Sequence, residues 1–412
     1  MATKAKWTFA VYMAGDNNLS DAGERDLKEM RRVGSKPEVN VVVEFDRSGP
    51  NHETKRYHIQ KAGKNERIES LGETDCGDSK ALINFIRWIA KEFPADHYAL
   101  VLWNHGGGWE PTEMDRIAKK ARTINYGKAE GSERSHSLLG RAFFRSTITE
   151  VLHLPTVHER AICSDDGSGH SLDTVELGNV LVDATAAIKQ PVDVLGMDAC
   201  LMSNLEVVYQ AKPYVSIAVA SEESEPNDGW PYDKILQSLV NNPDMTPSEL
   251  GCLIVKAYTK YYANKPATWP VTQTALDVSK LEPLMKPLDS LANILIKNMA
   301  TAKAGINKAQ YDSKPFYHGT LFDTDDFCSE LSKNINKTDI QQEVQAVHQA
   351  LKPGKGHLIL AESYHGKALK DCAGLSIYLP ERRYGAHISE YYKDLQFARD
   401  HRWLAMLKKF HA

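Results

Sequence analysis

Two residues have the side-chain chemistry of a nucleophile and its base, Cys200 and His105. A thiol attacks a carbonyl carbon well only as thiolate, and a neighbouring imidazole is the usual acceptor for its proton. They lie 95 residues apart, so only the fold can join them. Residues 97–103 form a nearly continuous apolar run that ends in Asn104-His105-Gly106-Gly107-Gly108. Residues 191–197 form another, followed directly by Asp198-Ala199-Cys200 and by helical spacing from about 201 to 211. A cysteine opening that helix would feel its positive N-terminal end, which lowers a thiol pKa. The backbone N–H groups of Cys200 and of a glycine beside His105, such as Gly106, could form an oxyanion hole. Each residue also has a plainer reading. A buried cysteine at a strand–helix junction is commonly a small hydrophobe, and a histidine before a glycine run is commonly a loop residue.

The elements that must position this pair alternate. Residues 7–13 and 39–45 are apolar and rich in β-branched or aromatic side chains, as strands are. Between them residues 20–32 have helical spacing, with Leu27 and Met30 on one side, charges elsewhere, and Ser20 or Asp21 as the expected N-cap. Residues 80–93 repeat the helical pattern through Leu82, Phe85, Ile86 and Ile89. Residues 172–188 read as a helix with Ser171 or Asp173 near its start, and 215–220 as a strand leading into an acidic loop, 221–230. Strands buried on both faces in alternation with helices imply an α/β protein with a mostly parallel sheet, and such sheets bind ligands at the carboxyl ends of their strands. His105, Cys200 and the acidic loop all fall at such ends. Residues 109–160 differ: they mix Arg and Lys with Gly, Ser and His, and their one apolar island is 138–144. They read as a long surface insertion.

The expected organisation is a core over residues 1–255, carrying the insertion at about 109–160, and a C-terminal α/β region over 256–412. Pro266 and Pro270 bracket the boundary. In that region 272–278, 357–364 and 374–379 look like strands and 279–299 and 339–351 like helices. Some of the late strands could return to the first sheet.

Composition excludes several classes. With 412 residues, 42% hydrophobic and 25% charged, the chain can bury a large core and is not disordered by default. A formal charge of -4 without a long basic run argues against nucleic acid as a partner. The six cysteines form no C-x-x-C pair, and H-E-x-x-H is absent, so neither a disulfide framework nor a zinc site is expected. Met1-Ala-Thr-Lys-Ala-Lys-Trp7 has no apolar core behind its lysines, so the sequence reads as soluble and cytoplasmic, without a membrane partner. A secreted protein trimmed of its leader would read the same way. Gly106-Gly107-Gly108 lacks a following Lys-Ser/Thr and no G-x-G-x-x-G is formed, so phosphate binding has little behind it.

The run Leu100 to Trp109 with its His-Gly-Gly-Gly-Trp end, and Gly196-Met197-Asp198-Ala199-Cys200-Leu201-Met202 downstream, resemble the clostripain family of cysteine peptidases. Those belong with caspases, gingipains and legumains to a group sharing His-Gly and x-Ala-Cys motifs. The likeness extends to Trp7-Thr8-Phe9-Ala10-Val11-Tyr12-Met13-Ala14-Gly15-Asp16-Asn17-Asn18-Leu19, to Glu225-Pro226 with Gly229-Trp230, to Ala275-Leu276-Asp277-Val278-Ser279, and to Gly374-Leu375-Ser376-Ile377-Tyr378-Leu379-Pro380. A caspase has Gln before Ala-Cys and a shorter gap from His, so the chain is not one.

The resemblance implies a caspase-like sheet flanked by helices, His105 as general base, Cys200 as nucleophile, and Asp198 as a wall of the pocket for the residue before the scissile bond (P1). An anionic wall there would select Arg or Lys. Asp198 could instead cap the following helix. Asp228 is a second candidate wall, beside Glu222, Glu223 and Glu225 in a loop that would otherwise be solvated. Relatives are cut at a basic residue between His and Cys. The insertion offers Arg116, Lys119, Lys120, Arg122, Lys128, Arg134, Arg141 and Arg145. No cofactor is implied as a requirement, and a monomer is expected. Some relatives respond to calcium, and Asp165, Asp166 and Asp173 could hold a hard cation, although a surface turn and helix cap fit the spacing better. Three rivals remain: a catalytically silent scaffold of the same fold, a nucleotide binder, and a cysteine hydrolase or transferase that does not cut peptides. The physiological substrate, the ranking of Arg against Lys and the position of a processing cut are not written in the sequence.

Overall fold

The computed structural model describes residues 4–49, 53–109, 162–163, 165, 171–265, 270–316, 319–370, 372–381 and 387–412. The insertion beyond Trp109 and Asp166 therefore lie outside the described residues. The first elements are β1 (Ala5–Gly15), α1 (Ser20–Val33), β2 (Val39–Arg47), β3 (Thr54–His58), β4 (Arg67–Gly72), α2 (Ser79–Glu92) and β5 (Ala95–Trp103). After the insertion come α3 (Thr174–Ile188), β6 (Val192–Asp198), α4 (Leu205–Ala211), β7 (Val215–Ala220), α5 (Tyr232–Asn241), α6 (Pro247–Tyr262) and β8 (Val271–Asp277). The remainder is α7 (Glu282–Asp312), β9 (Pro315–Phe316), β10 (Leu321–Asp323), α8 (Thr324–Asn334), α9 (Thr338–Leu351), β11 (Ile359–His365), β12 (Ser376–Tyr378), α10 (Gln396–Asp400) and α11 (Trp403–His411).

Nine strands form one sheet in the order β11-β8-β7-β6-β5-β1-β2-β3-β4. Its centre, β2-β1-β5-β6-β7, is parallel. Antiparallel strands extend it on both sides. This is the α/β sheet flanked by helices that the alternating pattern implies. The strand period of two sorts the core. Phe9, Val11 and Met13 of β1 face a cluster with Leu27 and Met30 of α1, Ile235 of α5 and Tyr258 of α6. Ala10 and Tyr12 face the other way, toward Phe85 of α2, Leu181 of α3 and Val208 of α4. β8 and β11, both past residue 255, lie in this sheet, whereas β12 pairs with β10 in a separate three-stranded sheet.

The β3–β4 hairpin went unread in the sequence because an edge pair carries no apolar run: Arg67, Ile68 and Ser70 are exposed. Neither Ser20 nor Asp21 caps α1. Leu19 is the N-cap residue and the Asn17 side-chain oxygen accepts its N–H at 2.8 Å. Asp173 does cap α3, in a capping box with Glu176. Helix α7 runs 13 residues beyond the expected end, since Ala302, Ile306 and Ala309 keep one buried stripe through an otherwise polar stretch.

The C-terminal region is tied to the sheet by a buried carboxyl on α4. Glu206 is fully buried and accepts from the Tyr392 hydroxyl (2.7 Å) and the Tyr378 N–H (3.2 Å). Burial pushes its pKa up to about 7, with the Tyr392 bond pulling back. A carboxyl whose folded pKa lies above its unfolded value favours folding most at low pH, and that advantage is lost as pH rises from about 4.5 toward 7. The span is of order 3 kcal/mol. Glu206→Gln keeps an acceptor oxygen and removes the titration. The variant should therefore melt closer to wild type at pH 5 than at pH 8, where it should be the more stable of the two. Parallel melting curves at both pH values would show otherwise.

Candidate active site

The register of β5 and β6 sets the site. Trp103 is paired with Asp198, so His105 and Cys200 each lie two residues past matched strand ends. The Asn104 N–H donates to the Asp198 carbonyl at 3.3 Å, continuing the ladder one step further. One cleft, enclosing ≈ 340 Å³ with its open mouth, is lined by His105, Cys200, Asp198, Trp103 and Gly229, with Leu19 and Ala22 of α1 on its side.

His105 is buried, and its Nε2 lies 2.6 Å from the Asn18 side-chain oxygen. Asn18 follows β1, the strand next to β5, and was read in the sequence only as part of a motif. An amide oxygen on one ring nitrogen fixes the tautomer and leaves the other nitrogen as the acceptor. Asn104 anchors the same turn by donating to the Ala14 carbonyl (2.5 Å).

Cys200 differs from expectation in one respect: it does not open a helix. Leu201 sits at φ 66°, a left-handed conformation that costs a branched residue roughly 1 kcal/mol or more. The Ser203 N–H donates to the Ser221 carbonyl, Asn204 bridges to Ser376, and α4 starts only at Leu205. A helix dipole fades within its first turn, so the thiol receives little of it. Burial instead pushes Cys200 up to about 11, although N–H groups of Glu225, Gly106 and Cys200 itself pull it down. The Glu225 N–H reaches Sγ at 3.2 Å. At rest the nucleophile candidate is a neutral thiol with backbone donors gathered around it.

Gly106 is where side chain and backbone cannot both fit. A Cβ there would lie 2.2 Å from the Cys200 carbonyl oxygen and 3.0 Å from its nitrogen. Gly106→Ala should therefore separate the two strand ends and misplace both N–H groups. A fall in kcat of about 10²-fold is expected, the size of losing one oxyanion donor. An alanine variant with unchanged kcat would remove Gly106 from that role.

Asp198 ends β6 and is 5% exposed. It accepts from the Tyr232 hydroxyl (2.7 Å) and the Trp230 N–H (3.3 Å), and so serves as a hydrogen-bonded wall rather than a helix cap. Burial raises its pKa to about 6, against hydrogen bonds from Glu225, Tyr232 and Trp230. Asp228 points elsewhere: its carboxylate binds Lys265 (2.9 Å) and the Tyr261 hydroxyl (3.1 Å), both on or just past α6. The acidic loop is not solvated. Glu222, Glu223 and Glu225 are all buried.

Asp165 is buried and accepts the Cys76 N–H at 2.9 Å, while Asp173 is occupied as the cap of α3. Among the described residues two buried groups could offer ligand atoms within 4.8 Å of one another, Asp46 with Cys76 and Asp165, and Glu222 with Asp323 and Cys372. Neither lines the cleft. In the second, Glu222 accepts from Gly374 N–H and Asp323 from the N–H groups of Asp326 and Ala373. Those carboxylates already organise backbone.

The ends of the insertion are fixed. Trp109 is buried edge-on against Tyr378 and Tyr392, and its carbonyl accepts from the Thr174 hydroxyl. Ile162 bridges to Gly106 on one side and Leu172 on the other.

The sequence pattern of the clostripain family (peptidase C11) matches residues 11–136 and 153–410. Clostripain of Hathewaya histolytica is 26% identical over 396 residues, covering 80% of this chain and 66% of that protein's own length. Two solved structures share the fold. One is a secreted C11 cysteine protease from Bacteroides thetaiotaomicron in complex with an irreversible peptide inhibitor, at TM-score 0.61 and 19% identity, covering 98% of this chain and 99% of that one. The other is an inactive zymogen C11 protease from Parabacteroides distasonis, at TM-score 0.60 and 20% identity, covering 97% and 99%. With the pattern matched from β1 to the last helix, the chain belongs to the clostripain family of cysteine peptidases.

Proposed function

We propose that the protein is an endopeptidase that cuts after Arg or Lys through a Cys200–His105 dyad. The observation that carries this reading is the cleft itself, which holds a thiol, an imidazole and the buried Asp198 carboxylate together. His105 takes the thiol proton, Cys200 attacks the carbonyl carbon, and the tetrahedral oxyanion is held by the N–H groups of Gly106 and Cys200. His105 then returns the proton to the departing amine, and water hydrolyses the thioester. A P1 guanidinium or ammonium pairs with Asp198, and its charge favours the ionised form of that carboxyl. Asp228 would join the pocket only by releasing Lys265, so Asp198 is the principal anion of this reading.

No cofactor enters this chemistry. Activation by a cut between His105 and Cys200 is part of the proposal, supported by the basic residues of the insertion and by a relative described as an inactive zymogen.

Hydrolysis of matched fluorogenic peptides tests the reading, with P1 Arg or Lys against P1 Asp or Leu. Turnover confined to the basic pair is the expected result. An inert chain, even after limited proteolysis of residues 109–160 and with calcium added, would favour a silent scaffold. A fully active chain that remains intact on a denaturing gel would defeat the processing step alone.

A further inference from the structure

Helix α1 supplies a carboxylate that the sequence pattern assigns to its charged, outward side. Leu19 and Ala22 line the cleft, and a residue seven past Leu19 on the same face of a helix is Asp26. Asp26 is 3% exposed, and its Oδ2 accepts from the Trp103 indole N–H at 2.8 Å. Trp103 is itself a lining residue. Gly229, at φ 56°, stands between this carboxylate and Asp198: a Cβ on it would lie 3.2 Å from Asp198 Oδ2 and 3.3 Å from Asp26 Oδ2. Two carboxyl groups thus converge from α1 and β6 on the same missing methyl group at the cleft floor.

We propose that Asp26 is the second carboxyl of the P1 pocket, sharing one proton with Asp198 until a P1 cation displaces that proton to solvent. This deepens the proposed basic-P1 reading and rests on it. Two like charges this close, both out of water, do not ionise together without a cation between or beside them. The charged and titratable groups facing the pair are few. Tyr232 of α5 donates to Asp198, Glu225 bonds it from the loop after β7, and Glu29 and Arg25 flank Asp26 on α1. The Arg25 guanidinium is spent on the carbonyl oxygens of Asp21 and Asn227. Burial and the neighbouring Asp198 hold Asp26 in its neutral form well above the usual carboxyl range. A guanidinium entering past Asp198 supplies the missing charge, and the arrangement then holds two carboxylates and one cation. The proton leaves to buffer, so binding and proton release are linked.

Asp26→Asn isolates the role, because an amide oxygen can still accept from Trp103. On P1-arginine peptides KM should rise about tenfold with kcat within twofold, the pattern of lost binding shared by ground and transition states. The acid limb of kcat/KM should move to lower pH, since Asp198 loses the neighbour that makes its ionisation harder. A purely structural anchor for Trp103 would lower the melting temperature and leave KM and the acid limb in place, and that outcome overturns the proposal. Wild-type protein provides a second readout that needs no variant to fold. Benzamidine, a planar cation like the arginine side-chain end, is titrated calorimetrically at pH 7.5 in two buffers of different ionisation enthalpy. A lone carboxyl titrating near 6 would already be ionised there, so release of most of one proton per benzamidine, retained in Glu225→Gln, is expected. Benzamidine binding without proton release overturns the shared proton. Failure of wild type to cleave after any basic residue would instead overturn the pocket reading itself.

Discussion

Cys200→Ala is expected to lower kcat/KM on a P1-arginine peptide by about 10⁴-fold or more, with folding intact. The thiol is a neutral group at rest, held near 11 by burial. Catalysis therefore depends on a base that removes its proton at the moment of attack. His105→Ala should fall by a similar factor for that reason. Because the two act as one unit, the double variant should be little worse than either single one. Alanine at 200 removes a sulfur that accepts from the Glu225 N–H, at a site partly open to the cleft, so the melting temperature should move by only a few degrees. Residual activity above the thousandth part would move the nucleophile elsewhere among the cysteines. Cys163 and Cys328 are poor candidates, since burial lifts both thiols far above the usual range with no donors drawing them back.

The second large effect concerns Asp198. Asp198→Asn should reduce kcat/KM on P1-arginine and P1-lysine peptides by roughly 10²- to 10³-fold, the loss expected when one partner of a buried charge pair is neutralised. An asparagine keeps acceptor capacity for the Tyr232 hydroxyl and the Trp230 N–H, so the pocket should keep its shape. Wild-type rates on basic peptides should also fall as pH drops below about 6, because a protonated Asp198 has no charge to offer. The direction follows from the raised pKa: the ionised form is lost at a higher pH than for an ordinary aspartate. Equal rates for variant and wild type across pH 5 to 8 would remove Asp198 from specificity.

What the sequence disclosed follows from how its signals are written. Strands buried on both faces leave continuous apolar runs, so 97–103 and 191–197 could be read directly, and with them the positions of His105 and Cys200 at strand ends. Asp26 was not legible. Its spacing on α1 places it among charged neighbours, and only the packing of α1 over Trp103 turns it inward. Asn18 was hidden for a related reason, since its partner lies 87 residues away. The loop 221–230 was misjudged as solvated because composition reports charge and not burial. Glu222 is covered by the Gly374 turn of the C-terminal region, a contact between residues 152 apart. The late start of α4 comes from Ser203 and Asn204 being drawn into extended pairing with Ser221 and Ser376, which competes with helix and has no local sequence mark.

The anchored ends of the insertion have a consequence for how the molecule would behave in two pieces. Trp109 is wedged against tyrosines from the C-terminal region, and Ile162 is laced to Gly106. Five register pairs join β5, which precedes the gap, to β6, which follows it. Covalent continuity between residues 109 and 162 is therefore mechanically redundant. The polypeptide is in effect a heterodimer that happens to be translated as a single strand. Fragments 1–109 and 162–412, expressed from separate messages, have a complementary half-sheet each and every reason to find one another.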